Sequence, residues 1–151
     1  MVSKLIGRLA CALALLLLAA AAVSGAMADA ATATAPQVTG AWVQLSPVAG
    51  RPAAGYFTLR GGAVDDRLVA VTSPRASRAE LHTSAMANGM MHMGSMASVA
   101  VPAHQAVAFA PGGSHVMLYD AKPAGTTLPL VLTFASGAAV RIDAETRAAG
   151  R

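Results

Sequence analysis

The stretch "LPLVLTFASGAAVRID", Leu128 to Asp143, decides the fold. Leu128, Leu130, Leu132 and Phe134 recur at every second position, the period at which a strand turns one face to a core. Ser136-Gly137 then turns the chain into a second run that carries Val140 and Ile142, so the segment predicts a core β-hairpin. Pro129 removes an amide from the ladder and predicts an edge or a bulge on one side of the first strand.

Upstream of this hairpin the same pattern continues. "VTGAWVQL", "AGYFTLR", "DRLVAVTS", "AELHTS", "ASVAVP", "AVAFA" and "HVMLYD" are short runs rich in Val, Leu, Thr or aromatics. They are separated by turn-forming segments such as "SPVAGRP", "SPRAS", "PGGS" and "AKPAGT". No run keeps a helical period over three turns and no internal repeat is visible. The expected fold is a single all-β domain, an antiparallel sandwich or barrel.

The first residues belong to a different kind of segment. Lys4 and Arg8 precede the apolar run "LACALALLLLAAAAVSG", and "AMA" at Ala26 to Ala28 offers small residues at a cleavage site, the pattern of a secretory signal over residues 1–28. The expected organisation is a flexible arm over 29–37, the sandwich over 38–143 and a short tail over 144–151. Export to the periplasm and no stable membrane insertion after cleavage follow as expectations. The apolar run is short for a span of about 20 residues.

Without Lys4 and Arg8 the chain has nine basic and seven acidic residues, a nearly neutral balance. The arginines are scattered, without the clustering or interleaved aromatics that nucleic-acid binding needs, so no nucleic-acid partner is expected. The only cysteine, Cys11, lies in the leader and precedes most of its apolar run, the wrong place for lipid attachment. The chain after residue 28 therefore has no thiol for catalysis, redox exchange or metal binding. There is also no G-x-S-x-G elbow, phosphate-cradling glycine loop or H-E-x-x-H motif, and Asp65-Asp66 fits solvated turn residues better than an acid/base pair. The chain is not expected to be an enzyme.

Two clusters carry the remaining chemistry. "ELHTSAMANGMMHMGSM", Glu80 to Met96, holds five of the eight methionines and two of the four histidines. Methionine is often a core gap-filler, but this turn-rich context between Asn88-Gly89 and Gly94-Ser95 cannot bury five large side chains. In "PGGSHVML", Pro111-Gly112 suits a type II turn, after which His115 and Met117 share one face of a strand. Alone, such a pair fits an exposed histidine beside a core methionine. Together the clusters combine soft thioether and borderline imidazole without carboxylates, a set that suits Cu(I) better than Zn(II), Ca(II) or Mg(II). Thioethers also escape capture as disulfides in an oxidising compartment. Met91 and Met93 share one strand face and Met90 and His92 the other, so spacing alone does not choose the ligands.

The order of these residues resembles the periplasmic copper chaperones of the PCuAC family, whose signature is H-x10-M-x21-H-x-M. His82 is followed by ten residues and Met93, then by twenty-one and His115, then by Val116 and Met117. "AWVQLSP", "AGYFTLRGG" and "DDRLVAVTSP" are similar to the family's upstream segments, so the resemblance covers roughly Val38 to Ile142. It implies that His82, Met93, His115 and Met117 bind one Cu(I). It also implies a cupredoxin-like Greek-key β-sandwich, expected to be monomeric, that delivers copper to the CuA subunit of cytochrome c oxidase or to a Sco-type protein. The chain departs from the pattern at His92, where relatives often carry a basic residue, and at Gly94-Ser95-Met96, where Arg-Pro often follows. The tail "AETRAAGR" lacks the Met and His residues of some relatives.

Met86, Met90, His92 and Met96 remain as a candidate secondary set of metal ligands. Glu80, two residues before His82, is placed to orient that imidazole. His104 fits an ordinary loop histidine, and Trp42 and Tyr56 fit core or rim aromatics. The alternatives to delivery are copper buffering for tolerance, favoured by the surplus methionines, and an enzyme using His82, His115 and Glu80 as a two-His-one-carboxylate site.

Overall fold

The computed structural model describes residues 35–149. The leader expected over residues 1–28, with Cys11, and the arm through Thr34 lie outside the described residues. Ten strands follow one another, β1 Gln37–Gln44, β2 Ala53–Arg60, β3 Asp66–Thr72, β4 Arg78–Ala87, β5 Met90–Ser95, β6 Val99–Val101, β7 Ala106–Phe109, β8 Ser114–Tyr119, β9 Thr127–Phe134 and β10 Ala139–Arg147. Among the described residues there is no helix.

The strands hydrogen-bond in the order β5-β4-β8-β2-β1-β10-β9-β3-β6, with β7 also paired to β2. Only β1 and β10 run parallel among the strand pairs; the sequence neighbours β1–β2, β4–β5 and β9–β10 are antiparallel hairpins. The non-local order of the remaining neighbours is that of a Greek-key sandwich, in which strands distant in sequence are brought side by side. The all-β expectation therefore holds.

The hairpin quoted first forms as the alternation predicts. Leu128, Leu130, Leu132 and Phe134 are each at most 1% exposed, and they meet Phe57 and Leu59 of β2, Leu68 and Val71 of β3, and Val116 and Leu118 of β8 in one core. Apolar area removed from water there is the main stabilising term for a chain whose described part contains no cysteine. Pro129 sits inside the sheet opposite Asp143 of β10, but the pairing of β9 with β3 begins only at Val131. The proline thus lies beyond the end of β3, where the Ser73 hydroxyl donates to its carbonyl at 2.7 Å. The missing amide has no ladder partner to lose.

The described residues contain one strand more than the sequence pattern indicates. Met90–Ser95 is β5, joined to β4 by the two-residue turn Asn88-Gly89, both with positive φ (51° and 75°). Such a pair matches the right-handed twist of the flanking strands, and Asn-Gly is its strongest sequence signal. That signal was present. It was masked because none of the β5 side chains is buried, so its alternation encodes no core face.

Asp65 and Asp66 are more than solvated turn residues. Asp65 accepts the Ala103 amide at 2.8 Å. Asp66 accepts the Ser136 hydroxyl at 2.6 Å and the Ser136 amide at 3.1 Å, tying the start of β3 to the β9–β10 turn. Partial burial opposes its ionisation, but the Ser136 hydroxyl and the Arg67 and Ser136 amides outweigh it and hold the Asp66 carboxyl below its ordinary value. A depressed carboxylate stabilises the fold above its unfolded-state pKa, and that contribution is lost as pH falls through the folded value. Asp66→Asn is expected to be less stable than the wild type at pH 7. The difference should shrink as the pH falls below about 4, when urea midpoints of the two are followed against pH.

Candidate metal centre

The four residues of the motif are positioned by two strand pairings. In β4 against β8, His82 lies directly opposite His115 and Glu80 opposite Met117. In β4 against β5, Ser84 lies opposite Met93, and Ser84 shares the face of His82, two residues away. His82, Met93, His115 and Met117 therefore all lie on one face of the β5-β4-β8 ribbon. Their strand neighbours Leu81, Val116 and Leu118 are at most 5% exposed and belong to the core, so the four lie on the opposite, outer face.

The turn before β8 forms as its sequence suggests. Gly112 has φ 82° and the Gly113 amide donates to the Ala110 carbonyl at 3.0 Å, the geometry of a type II turn around Pro111-Gly112. Its Gly113 carbonyl then accepts the Ser84 amide at 3.1 Å and the Nδ1–H of His115 at 3.0 Å. A carbonyl can only accept, so His115 carries its proton on Nδ1 and keeps a lone pair on Nε2. This ring is 7% exposed although it faces outward, with Tyr56 of β2 beside it at a centroid distance of 6.4 Å. Trp42 packs on Tyr56 at 4.6 Å, and the Arg147 guanidinium lies over Trp42. These two aromatics are half-buried on the outer face, because Gly55 and Phe57 take the inward positions flanking Tyr56.

His82 is held with the opposite tautomer. Its Nε2 contacts the Glu80 carboxylate at 3.3 Å, which requires the proton on Nε2 and leaves Nδ1 with a lone pair. That Nδ1 is buried and has no hydrogen-bond partner, the sole such side-chain atom among the described residues. A buried polar atom without a partner is unfavourable, and a cation bonded there would offset the loss. The two rings are 5.9 Å apart between centroids, close to the separation needed by one ion bonded to both at roughly 2 Å. With the thioethers of Met93 and Met117 on the same sheet face, the donor set fits a soft monovalent ion.

Glu80 is fixed in turn. Tyr119 donates its hydroxyl to the same carboxylate oxygen at 3.1 Å, and the Arg78 Nε lies 3.3 Å from the other oxygen while its guanidinium stacks over the Tyr119 ring. The hydrogen bonds from His82 and then Tyr119, with the charge of Arg78, outweigh desolvation and hold the Glu80 carboxyl below its ordinary value. Tyr119 went unnoticed in the sequence because only the pairing of β4 with β8 brings it to Glu80, whereas Arg78, two residues before Glu80 on β4, shares its face by strand alternation alone. No group of three His, Cys, Asp or Glu able to hold a metal occurs among the described residues.

The other candidates separate by face. Met86 lies opposite Met91 on the outer side, whereas Met90 and His92 lie opposite Ala87 and Ala85 on the other. Met96 is partly buried against the core. His104 is exposed in the loop between β6 and β7, as expected of a loop histidine.

Comparison with known proteins agrees with this architecture. The LpqE-like family model, which describes a lipoprotein, matches residues 37–146. The apo PCuAC domain from PmoF1 is 30% identical and superposes with a TM-score of 0.60 over 75% of this chain and 93% of that one. The copper-bound PCuAC domain from PmoF2 is 26% identical, with a TM-score of 0.60 over 75% of this chain and 92% of that one. CuI-DR1885 from Deinococcus radiodurans is 27% identical, with a TM-score of 0.56 over 80% of this chain and 85% of that one. No functionally curated protein matches the chain.

Glu80→Gln removes the charged acceptor and is expected to release the His82 tautomer. Nitrogen-15 NMR of the metal-free protein should show a single Nε2–H form of His82 in the wild type and a mixture in the variant, with His115 unchanged.

Proposed function

This chain belongs to the LpqE-like family in its PCuAC-type form, and on that premise we propose that it is an exported carrier of Cu(I). His82, Met93, His115 and Met117 hold one ion, and the copper is passed on for assembly of the CuA centre of cytochrome c oxidase. The observation that carries this reading is the pair of imidazoles with fixed, complementary tautomers, one of them with an orphaned buried nitrogen, on the same sheet face as two thioethers. Two solved relatives, the PCuAC domain from PmoF2 and DR1885, are copper-bound, which supports the identity of the ion. The leader pattern of residues 1–28 and the lipoprotein description of the family support export.

The chemistry follows from the donors. All four ligands are neutral, so the bound ion keeps its single positive charge. His115 binds through Nε2 and His82 through Nδ1, while Gly113 and Glu80 hold the protons on the other nitrogens. Neither ring then has to change tautomer when the ion arrives or leaves. Soft thioethers select Cu(I) over harder divalent ions. Met93 sits on the exposed hairpin and the histidines on the rigid sheet, so one ligand can be withdrawn while the others stay in place. A carrier needs that asymmetry because it must release its cargo to an acceptor.

A Cu(I) competition titration of residues 29–151 against a chromophoric chelator should show one tight equivalent. The His115→Ala/Met117→Ala variant should weaken it by at least about a hundredfold, above the range typical for loss of an outer-shell partner. Unchanged affinity would refute the ligand set. Loss of oxidase activity at low copper on deletion of the gene is the outcome expected for delivery; copper sensitivity with normal oxidase would assign the protein to buffering instead.

A further inference from the structure

The β4–β5 hairpin projects beyond the core, and every residue from Ala85 to Ser95 is exposed. Met86, Met91 and Met93 are between 56% and 65% exposed and lie on the same face as His82. The hydrogen-bonding phase of the hairpin determines how closely they approach. The Asn88-Gly89 turn closes on the Ala87–Met90 pair, and further down the ribbon the Met96 amide donates to the Leu81 carbonyl at 2.8 Å. Both observations place the hydrogen-bonded pairs at odd-numbered positions of β4. Met86–Met91 and Ser84–Met93 are therefore non-hydrogen-bonded pairs, whose Cα atoms approach to about 4.5 Å with side chains close together. Met93 is the diagonal neighbour of Met86, within about 8 Å, a gap that long flexible thioether arms can close.

The surroundings are equally specific. No residue from Leu81 to Met96 is charged, so no carboxylate on the hairpin competes for the ion and no ammonium or guanidinium on it repels one. Thioethers do not protonate, and they are soft donors whether or not the site is dry.

We infer that Met86 and Met91, together with Met93, form a second and weaker site for a soft d10 cation, Cu(I) or its analogue Ag(I). The site lies at the hairpin tip; Met93 belongs to the ligand quartet while that is filled, an element that rests on the function proposed above, and joins Met86 and Met91 only when it leaves the quartet. An ion moves between the two sites by exchanging thioether partners about Met93, with no change of oxidation state and no proton transfer. Site two is weaker because its donors are solvent-exposed, rotationally free and all of one type. Of the four secondary candidates drawn from the sequence, this face includes Met86 alone, and Met91 joins it from across the strand pair.

The test is an Ag(I) titration of residues 29–151 labelled with 13C at the methionine methyl groups. The first equivalent is expected to shift Met93 and Met117, and the second to shift Met86 and Met91. In Met86→Leu/Met91→Leu, which keeps the apolar bulk and removes both sulfurs, the first equivalent should bind as in the wild type and the second should be lost. A second equivalent that persists in that variant, or that is lost instead in Met90→Leu/His92→Asn, overturns the inference. A wild-type protein that binds only one equivalent also overturns it while leaving the ligand quartet intact. Failure to bind even the first equivalent would bring down the copper-carrier reading itself.

Discussion

The register of β4 against β8 is the constraint on which both the core and the candidate metal centre depend. Side chains alternate across a strand, so the pairing that sets Leu81 beside Val116 on the inner face sets His82 beside His115 on the outer one. A slip of one residue would bury an imidazole and expose a leucine. Burial of Leu81, Val116 and Leu118 against the β9 leucines therefore fixes, at no further expense, the distance between two proposed metal ligands that are more than thirty residues apart in sequence. Core packing and ligand placement are enforced by the same interaction.

Around this pairing the outer face is organised by hydrogen bonds that set proton positions. Gly113, at the end of the type II turn, fixes the His115 proton, and Glu80, held by Tyr119 and Arg78, fixes that of His82. The two imidazoles present different nitrogens, as a consequence of one acceptor being a backbone carbonyl and the other a side chain two residues upstream. His82 and His115 lie on strands backed by the core, and Met93 lies on an exposed ribbon with no core beneath it. In the proposed carrier, binding and release make opposite demands on stiffness, and these would fall on different strands.

Much of this was legible in the sequence, for identifiable reasons. Leu128, Leu130, Leu132 and Phe134 announced a core strand because a buried face imposes a period of two. Pro111-Gly112 announced its turn because only glycine adopts the required φ without strain. The spacing of His82, Met93, His115 and Met117 carried the family resemblance that the comparisons bear out. β5 escaped the pattern because an exposed ribbon has no apolar face to alternate, even though Asn88-Gly89 marked its turn. Trp42 and Tyr56 could be placed only as core or rim, since an aromatic on a strand is compatible with either face until its partners are known.

The sequence by itself determined the chemical types: an all-β chain, soft and borderline donors without thiols in the part that follows residue 28, and turns where glycine and proline demand them. These are local properties, encoded in neighbouring residues. Only the tertiary structure decided which donors meet, because strand pairing between distant segments sets the face and partner of each side chain. It brought His82 to His115, gave Glu80 its partner Tyr119, left one histidine nitrogen without a partner, and divided the methionines of the hairpin between two faces. Pairing of that kind is a non-local choice made by the core, and no reading of spacing along the chain contains it.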